Sequence, residues 1–464
     1  MKLLAKIESG QVLSGGLFPD LHGESSPLWK DGENVQFTKG GVQKVPGYLG
    51  LEGLAAVPRG LKATKASGES RLYLGAGSEA YKWTQGGGLV NIGSFGAAGG
   101  TFQFLPWDTE ALISNGVDPV ERWPNAGLSA PITAPFTRAN VLFKYQTQAF
   151  AGGTSNGGQL VEWSSVNSIT DWTPSSTNTA GNLRLREMEG DILAAQPISG
   201  SIGIYSDVNV VTFTYVGGSA VYAHRRPIFG ISAISPYSVV AIKDLHFGLT
   251  TENVFVTDLL GFDLIDEAAV RNYFTSQADW DRVTEVYGWR DLPNNMIRWS
   301  IPKMSGGMFG LGYRIDRKTW TKFNDGIISG EPSGPFPRTM FCKDGKLLRQ
   351  DPATVDNDGL ALPAFARTKP LALGDRNKFK RINKLSLDMT WSGAVNVKIG
   401  YSNHPNDTPN WVITTPAASE IFPDQFNAHV DMVFLSIEIE STAIGATWSV
   451  AGAEIYGEIT GNVS

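Results

Sequence analysis

Three short glycine-bearing motifs could place chemistry in this chain, and each is judged by what surrounds it. Gly75-Ala76-Gly77-Ser78-Glu79-Ala80 has the G-x-G-x-x-A spacing that holds a pyrophosphate against a helix N-terminus. Only Tyr81 to Gln85 separate it from Gly86-Gly87-Gly88, too few residues for that helix, and no acidic residue stands at the ribose position. The segment therefore reads as a hairpin turn. Gly153-Thr154-Ser155-Asn156-Gly157 matches the G-x-S-x-G nucleophile elbow, which needs a strand before it and a helix after it. Gly158 and QLVEW come next, another strand, and Asn-Gly is itself a strong hairpin signal. Asp356-Asn357-Asp358-Gly359 resembles the front of a calcium loop. The carboxylate required six residues after the glycine is replaced by Phe365, so a solvated turn is expected.

The dispersed ionisable residues add little. His22, His224, His246, His404 and His429 all lie more than four residues apart, which excludes H-E-x-x-H and Cys/His zinc spacings. His246 sits in an apolar run, where a hydrogen-bonded core histidine is expected. Asp207, Asp258, Asp263, Asp266 and Asp316 are positional candidates for a carboxylate pair of the glycosidase kind, but sequence does not give their separation. Two basic clusters stand out, Arg225-Arg226 and the run Arg376, Lys378, Lys380, Arg381. Arg225, Arg226, Lys378, Lys380 and Arg381 are read as interface candidates. No catalytic residue, metal site or cofactor is expected.

The elements that would position these residues can be read from composition. Charged residues are 18%, against roughly 25% in an ordinary globular chain, and glycine is 53 of 464. Aromatics reach 11%. Few charges with much glycine and aromatic content indicate many short strands joined by tight turns, with a large core to bury. The single Cys342 excludes an internal disulfide and fits assembly in a reducing compartment. The start MKLLAKIESGQ is too short for a signal-peptide core, and no apolar run reaches the roughly 18 residues of a membrane span. A soluble chain that stays where it is synthesised until assembly or lysis is expected. With net charge −6, the surface as a whole does not attract nucleic acid.

One unit recurs: apolar strand, polar or glycine turn, second strand. It appears at 71–83, 111–123, 149–163, 202–216, 245–258, 296–315 and 339–350. Its first strands centre near Leu74, Leu112, Phe150, Ile204, Phe247, Trp299 and Phe341, in steps of 38, 38, 54, 43, 52 and 42 residues. Four-stranded propeller blades repeat at about 40–50 residues. The alternative is a large β-sandwich, which lacks the longer period. The reading is an all-β chain: an N-terminal arm and hairpin over 1–48, a β-propeller of six or seven blades over 49–364, and a C-terminal antiparallel β-sandwich over 365–464. The segment 266–289 breaks the pattern and predicts one or two short inserted helices. Within ENVQFTKGGVQKVPGY (33–48), Asn34–Phe37 and Val42–Val45 predict a hairpin that Pro46 ends. The glycine- and proline-rich arm 1–32 is not expected to form regular structure alone. It is expected to pack on a neighbouring subunit or on an adaptor.

GGLFPDL (15–21) with ENVQFTKGGVQKVPGY after it resembles the N-terminal region of tail nozzle, or tail tubular, proteins of short-tailed bacteriophages, with Val45 where that family usually carries arginine. WSSVNSITDWTP (163–174) and GISAISPYSVVAIKDLHFGLTTENVFVTD (230–258) resemble recurrent segments of the same family, in the same order. RINKLSLDMTW (381–391), VNVKIGYSN (395–403) and VFLSIEIESTAIGATWSVAGAEIY (433–456) look like its terminal sandwich. The resemblance implies a structural virion protein without enzymatic activity, assembled in the host bacterial cytoplasm. It implies a homo-oligomeric ring, usually a hexamer, in the virion tail. That ring would retain packaged DNA and let it exit the head without binding it specifically. Its partners would be the tail adaptor or head–tail connector and the fibre, spike and tail-tip proteins. A carbohydrate-binding or carbohydrate-cleaving propeller is the alternative function.

Overall fold

The computed structural model describes residues 2–7, 16–17, 19, 29–38, 40–97, 100–217, 221–267, 269–331, 334–414 and 425–462. The fold is all-β, built from small antiparallel sheets. Seven of them succeed one another along the chain. The first is Pro58–Ala66, Glu69–Ala76, Glu79–Thr84 and Gly88–Ser94. The second is Gln103–Trp107, Glu110–Ser114, Glu121–Trp123 and Ala130–Pro131. Ala139–Tyr145, Gln148–Thr154, Gly157–Trp163 and Gly181–Arg184 make the third. The fourth has Ile192–Ile198, Ser201–Ser206, Asn209–Tyr215 and Tyr222–His224, with Ile228–Phe229 beside its third strand. The fifth is Val239–Ile242, Leu245–Leu249, Val254–Thr257 and Phe262–Leu264. Tyr287–Asp291, Met296–Pro302, Met308–Arg314 and Thr319–Phe323 form the sixth. The seventh takes Ser329–Glu331, Met340–Lys343 and Lys346–Asp351, and its outer strand is Gly47–Gly53 from the start of the chain.

The first strand of each sheet adjoins the first strand of the next, and that of the seventh adjoins that of the first. A separate apolar core fills each gap. Tyr73, Phe104 and Ile113 join sheets one and two. Trp289, Phe323, Phe341 and Tyr48 join six and seven. Leu61, Leu74, Cys342 and Leu347 join seven back to one. The arrangement is β-propeller-like. The second strand of each sheet is covered on both faces, so it is buried in a continuous run instead of alternating. Gln148–Thr154 and Met296–Pro302 are buried at every position. The helical break falls where expected, as helix Arg271–Gln277 and a 3-10 turn Trp280–Glu285 between the fifth and sixth sheets.

Two further sheets gather strands from both ends of the chain. The eighth runs Val35–Thr38, Gly41–Lys44, Thr447–Asn462, Lys378–Ser392, Gln425–Met432, and Lys2–Ile7 also pairs with Thr447–Asn462. The ninth runs Trp29–Glu33, Ala364–Thr368, Phe434–Ser441, Asn396–Ser402, Asn410–Thr414. They share one core, with Phe37, Leu385, Trp448 and Ile455 from the eighth and Trp29, Val397, Leu435 and Ile439 from the ninth. The segment read as an arm thus supplies edge strands to both sheets, and Trp29–Glu33 has regular structure because Ala364–Thr368 pairs with it. Gly16 and Leu17 also pack inside this chain: Leu17 N donates to Trp320 O at 3.1 Å, and the Leu17 side chain is buried in the shared core. The rest of GGLFPDL lies outside the described residues, apart from Pro19.

Candidate functional site

The three motifs lie in turns. Gly77-Ser78 connects Glu69–Ala76 to Glu79–Thr84, and Ser155-Asn156 connects Gln148–Thr154 to Gly157–Trp163. Asp356–Gly359 folds against Gly47–Gly53, the strand that closes the circle: Gly50 N donates to Asp358 Oδ1 at 2.9 Å, and Lys346 pairs with Asp358 at 2.5 Å. Among the described residues no group of three or more His, Cys, Asp and Glu is placed to hold a metal.

The five aspartates are not on the first strands that adjoin around the circle. Asp207, Asp258 and Asp316 are exposed residues between strands, and Asp263 is exposed on an outer strand. Asp266 is buried and forked by Arg271 at 3.0 and 3.2 Å. His246 is the hydrogen-bonded core residue the sequence suggested. Its Nε2 faces the carbonyl of Pro197 at 2.9 Å and so carries the proton, which leaves Nδ1 to accept from the Tyr205 hydroxyl at 2.8 Å. Burial pushes its pKa down to about 4.

Two basic surfaces result from the interface candidates. Arg225 and Arg226 are exposed beyond the outer strand of the fourth sheet. On the eighth sheet Arg381 forks Asp431 with two contacts of 3.0 Å, and Lys378 pairs with Asp375 at 3.6 Å. Lys380 is different. Its side chain is fully buried, and its ammonium donates to the carbonyls of Asp375 at 2.5 Å and Val433 at 3.3 Å. Alternation along a strand turns Lys380 inward between Phe379 and Arg381.

Polar groups that the sequence did not single out gather where first strands converge. The Tyr237 and Tyr287 rings stack with centroids 4.1 Å apart. Tyr237 donates to Phe102 O at 2.7 Å, from the lead into the fifth sheet across to the lead into the second. The Tyr287 hydroxyl donates to Leu61 O at 3.3 Å and accepts from Leu61 N at 3.2 Å, linking the sixth sheet to the first. A cavity of about 260 Å³ beside them is lined by Arg59, Thr101, Glu285, Tyr287, Met308 and Ile328, among others. Within it Arg59 and Arg282 both pair with Glu285, at 2.9 and 2.6 Å. Burial alone would raise that carboxyl, but the two guanidiniums outweigh it and hold its pKa below the usual range. Glu285 is therefore a weak base. Burial pushes Glu331 upward instead; it accepts from Ala63 N at 3.1 Å and lies 3.5 Å from Lys62. These are contacts that tie neighbouring sheets together.

A buried polar constellation lies at the closure of the circle. Tyr48, on the outer strand of the seventh sheet, donates to Asp325 Oδ2 at 2.5 Å. Arg298, on the sixth, donates to Asp325 Oδ1 at 2.5 Å and to the Tyr48 hydroxyl at 3.2 Å. All three side chains are buried, and the guanidinium lies over the Phe323 ring at 3.9 Å. An arginine inside the apolar run MIRWSIP (296–302) is the signal that could have found this group. Nearby, a cleft of about 360 Å³ between the seventh and eighth sheets is lined by Lys44, Pro46, Val355, Trp391 and Trp448, among others. Lys44 donates into it toward Ala446 O at 2.6 Å, and burial lowers its amine to about 8.

No protein-family model and no curated protein matches the chain. Among solved structures it is similar to PorZ, an essential bacterial surface component of the type-IX secretion system of Porphyromonas gingivalis, at 10% identity with a TM-score of 0.38. That likeness covers 79% of this chain and 46% of PorZ, so the chain spans less than half of PorZ's length.

Proposed function

We propose that this chain is a structural component of a short-tailed bacteriophage tail, a nozzle or tubular protein that assembles into a ring through which DNA leaves the head. In this reading the seven sheets are the blades of a seven-bladed propeller, and the eighth and ninth sheets form a sandwich attached to it. The ring is a hexamer in the virion tail, and it meets the adaptor above and the fibre, spike or tip proteins around it. It has no catalytic role and no cofactor.

The observation that carries the reading is where the family-like residues fall. In ENVQFTKGGVQKVPGY, Asn34 and Tyr48 sit at joints between sheets, Asn34 on Lys322 and Pro363 and Tyr48 on Asp325, while Gly41 and Gly47 sit where a Cβ would strike the carbonyls of Val450 and Asp356. A second feature supports a ring of several copies. Tyr237–Phe102 and Tyr287–Leu61 cross between the converging first strands, so a duplex would pass between copies and not through one chain. Heterologous contacts around an axis supply such a passage. Arg225, Arg226, Lys378 and Arg381, exposed or half-exposed on two different sheets, are the basic contacts proposed for that assembly.

Antibody labelling tests the assignment. An antibody against the purified chain should decorate the tail of phage particles in electron micrographs. Absence from particles, together with glycan affinity of a monomer, would favour the carbohydrate-directed alternative.

A further inference from the structure

We infer that Trp29–Gly53 is a strap that makes closure of the seven-sheet circle conditional on the eighth and ninth sheets. Within 25 residues this segment gives one strand to the ninth sheet, two to the eighth and the outer strand to the seventh. Only Val45 and Pro46 separate Gly41–Lys44 of the eighth sheet from Gly47–Gly53 of the seventh. Neither residue leaves slack. Val45 is buried in the core between the sixth and seventh sheets, and the proline ring fixes its own φ.

Asn34 locks the segment. Its backbone is in the left-handed region at φ 53°, which asparagine tolerates better than most residues. Its N–H donates to Lys322 O at 2.9 Å, and its carbonyl accepts from Val45 N at 3.0 Å. Its side-chain amide donates to Pro363 O at 2.7 Å and accepts from Asn324 N at 3.0 Å. One residue thus holds the outer strand of the sixth sheet, the lead into the ninth and the entry to the closing strand. Arg314 adds a bond to Phe37 O at 2.9 Å, and Lys322 pairs with Asp31.

At the other end the closing strand is anchored equally tightly. A side chain at Gly47 would lie 2.1 Å from Asp356 O, and Tyr48 N donates to that same carbonyl at 2.9 Å. The hairpin Val35–Lys44 cannot leave the eighth sheet without pulling on Gly47–Gly53. Loss of Gly47–Gly53 exposes the seventh sheet and the cores on both of its sides. The strap therefore opens as one cooperative unit.

Hydrogen exchange on the full chain tests this. In low urea, amides of 35–44 and of 48–53 should exchange with the same opening free energy and the same urea dependence. Asn34→Ala and, from the opposite end, Tyr48→Phe should each accelerate both segments by about tenfold or more, the ratio that ~1.4 kcal/mol represents. Amides of 139–163 in the third sheet should stay as they were. Separate urea dependences for the two segments overturn the inference. So does acceleration confined to the segment that carries the substitution.

Discussion

Replacing Arg298 by methionine probes the group that seals the circle. The Arg298 and Asp325 side chains are 2% and 1% exposed, and their contact is 2.5 Å. Without the guanidinium, the Asp325 carboxylate keeps the Tyr48 hydroxyl and a backbone N–H from Ile327 at 3.3 Å, with no charge to balance it. Breaking a buried pair in this way costs about 3–5 kcal/mol. Tyr48→Phe removes two hydrogen bonds, the one given to Asp325 and the one accepted from Arg298, and leaves the ion pair, so about 1.5–3 kcal/mol is expected. Arg298→Met combined with Asp325→Asn removes both charges and should recover roughly 2 kcal/mol or more of the loss expected from adding the single effects. Urea unfolding monitored by tryptophan fluorescence reads these values, with the slope compared between variants to check that the same surface unfolds. A loss under about 1 kcal/mol for Arg298→Met, or a double variant as unstable as the sum of the singles, refutes the reasoning.

Other consequences rest on single contacts. His246 titrates near 4 when folded and near its ordinary 6.5 when unfolded, so the unfolded chain takes up the extra proton between those values. Stability should therefore fall as pH drops from about 6.5 toward 4, by roughly 3 kcal/mol in all. His246→Gln should flatten that window in pH-dependent unfolding; an unchanged slope would show that other groups govern it. At Gly75 an added methyl would lie 2.1 Å from the Phe102 ring, so Gly75→Ala should destabilise by about 1–3 kcal/mol. Gly53→Ala meets nothing within 4 Å and should stay within about 0.5 kcal/mol of the parent in the same melt.

Much of the seven-sheet circle was legible because its repeat is local. Each of the seven recurring units covers the second and third strands of one sheet, as Leu74 and Trp83 do in the first and Phe341 and Leu347 in the seventh. The second strand of each pair is buried along nearly its whole length and joined to the third by a glycine or Asx turn, so local composition marks the pair. The closing strand was not legible. Tyr48 pairs with Gln350, some 300 positions away, and nothing in GYLGLEG announces that partner. The strands at 2–7 and 29–33 were missed for the same reason: their order depends on Thr447–Asn462 and Ala364–Thr368. Charge misled in the other direction. Lys380 looked like part of a surface cluster, but strand alternation and two carbonyls take it inside. Glu331, in the short strand Ser329–Glu331, escaped notice because an isolated charge carries no spacing motif, and the only signal for Arg298 is a charge inside the apolar run MIRWSIP.

Imaging of the purified 464-residue chain by electron cryomicroscopy distinguishes a ring of copies from a lone propeller. Closed rings of six copies are expected, with a mass close to six times 50.1 kDa and seven-bladed density in each subunit around an open central lumen. Monodisperse single propellers that bind glycans, with no ring alone or on phage particles, would contradict it.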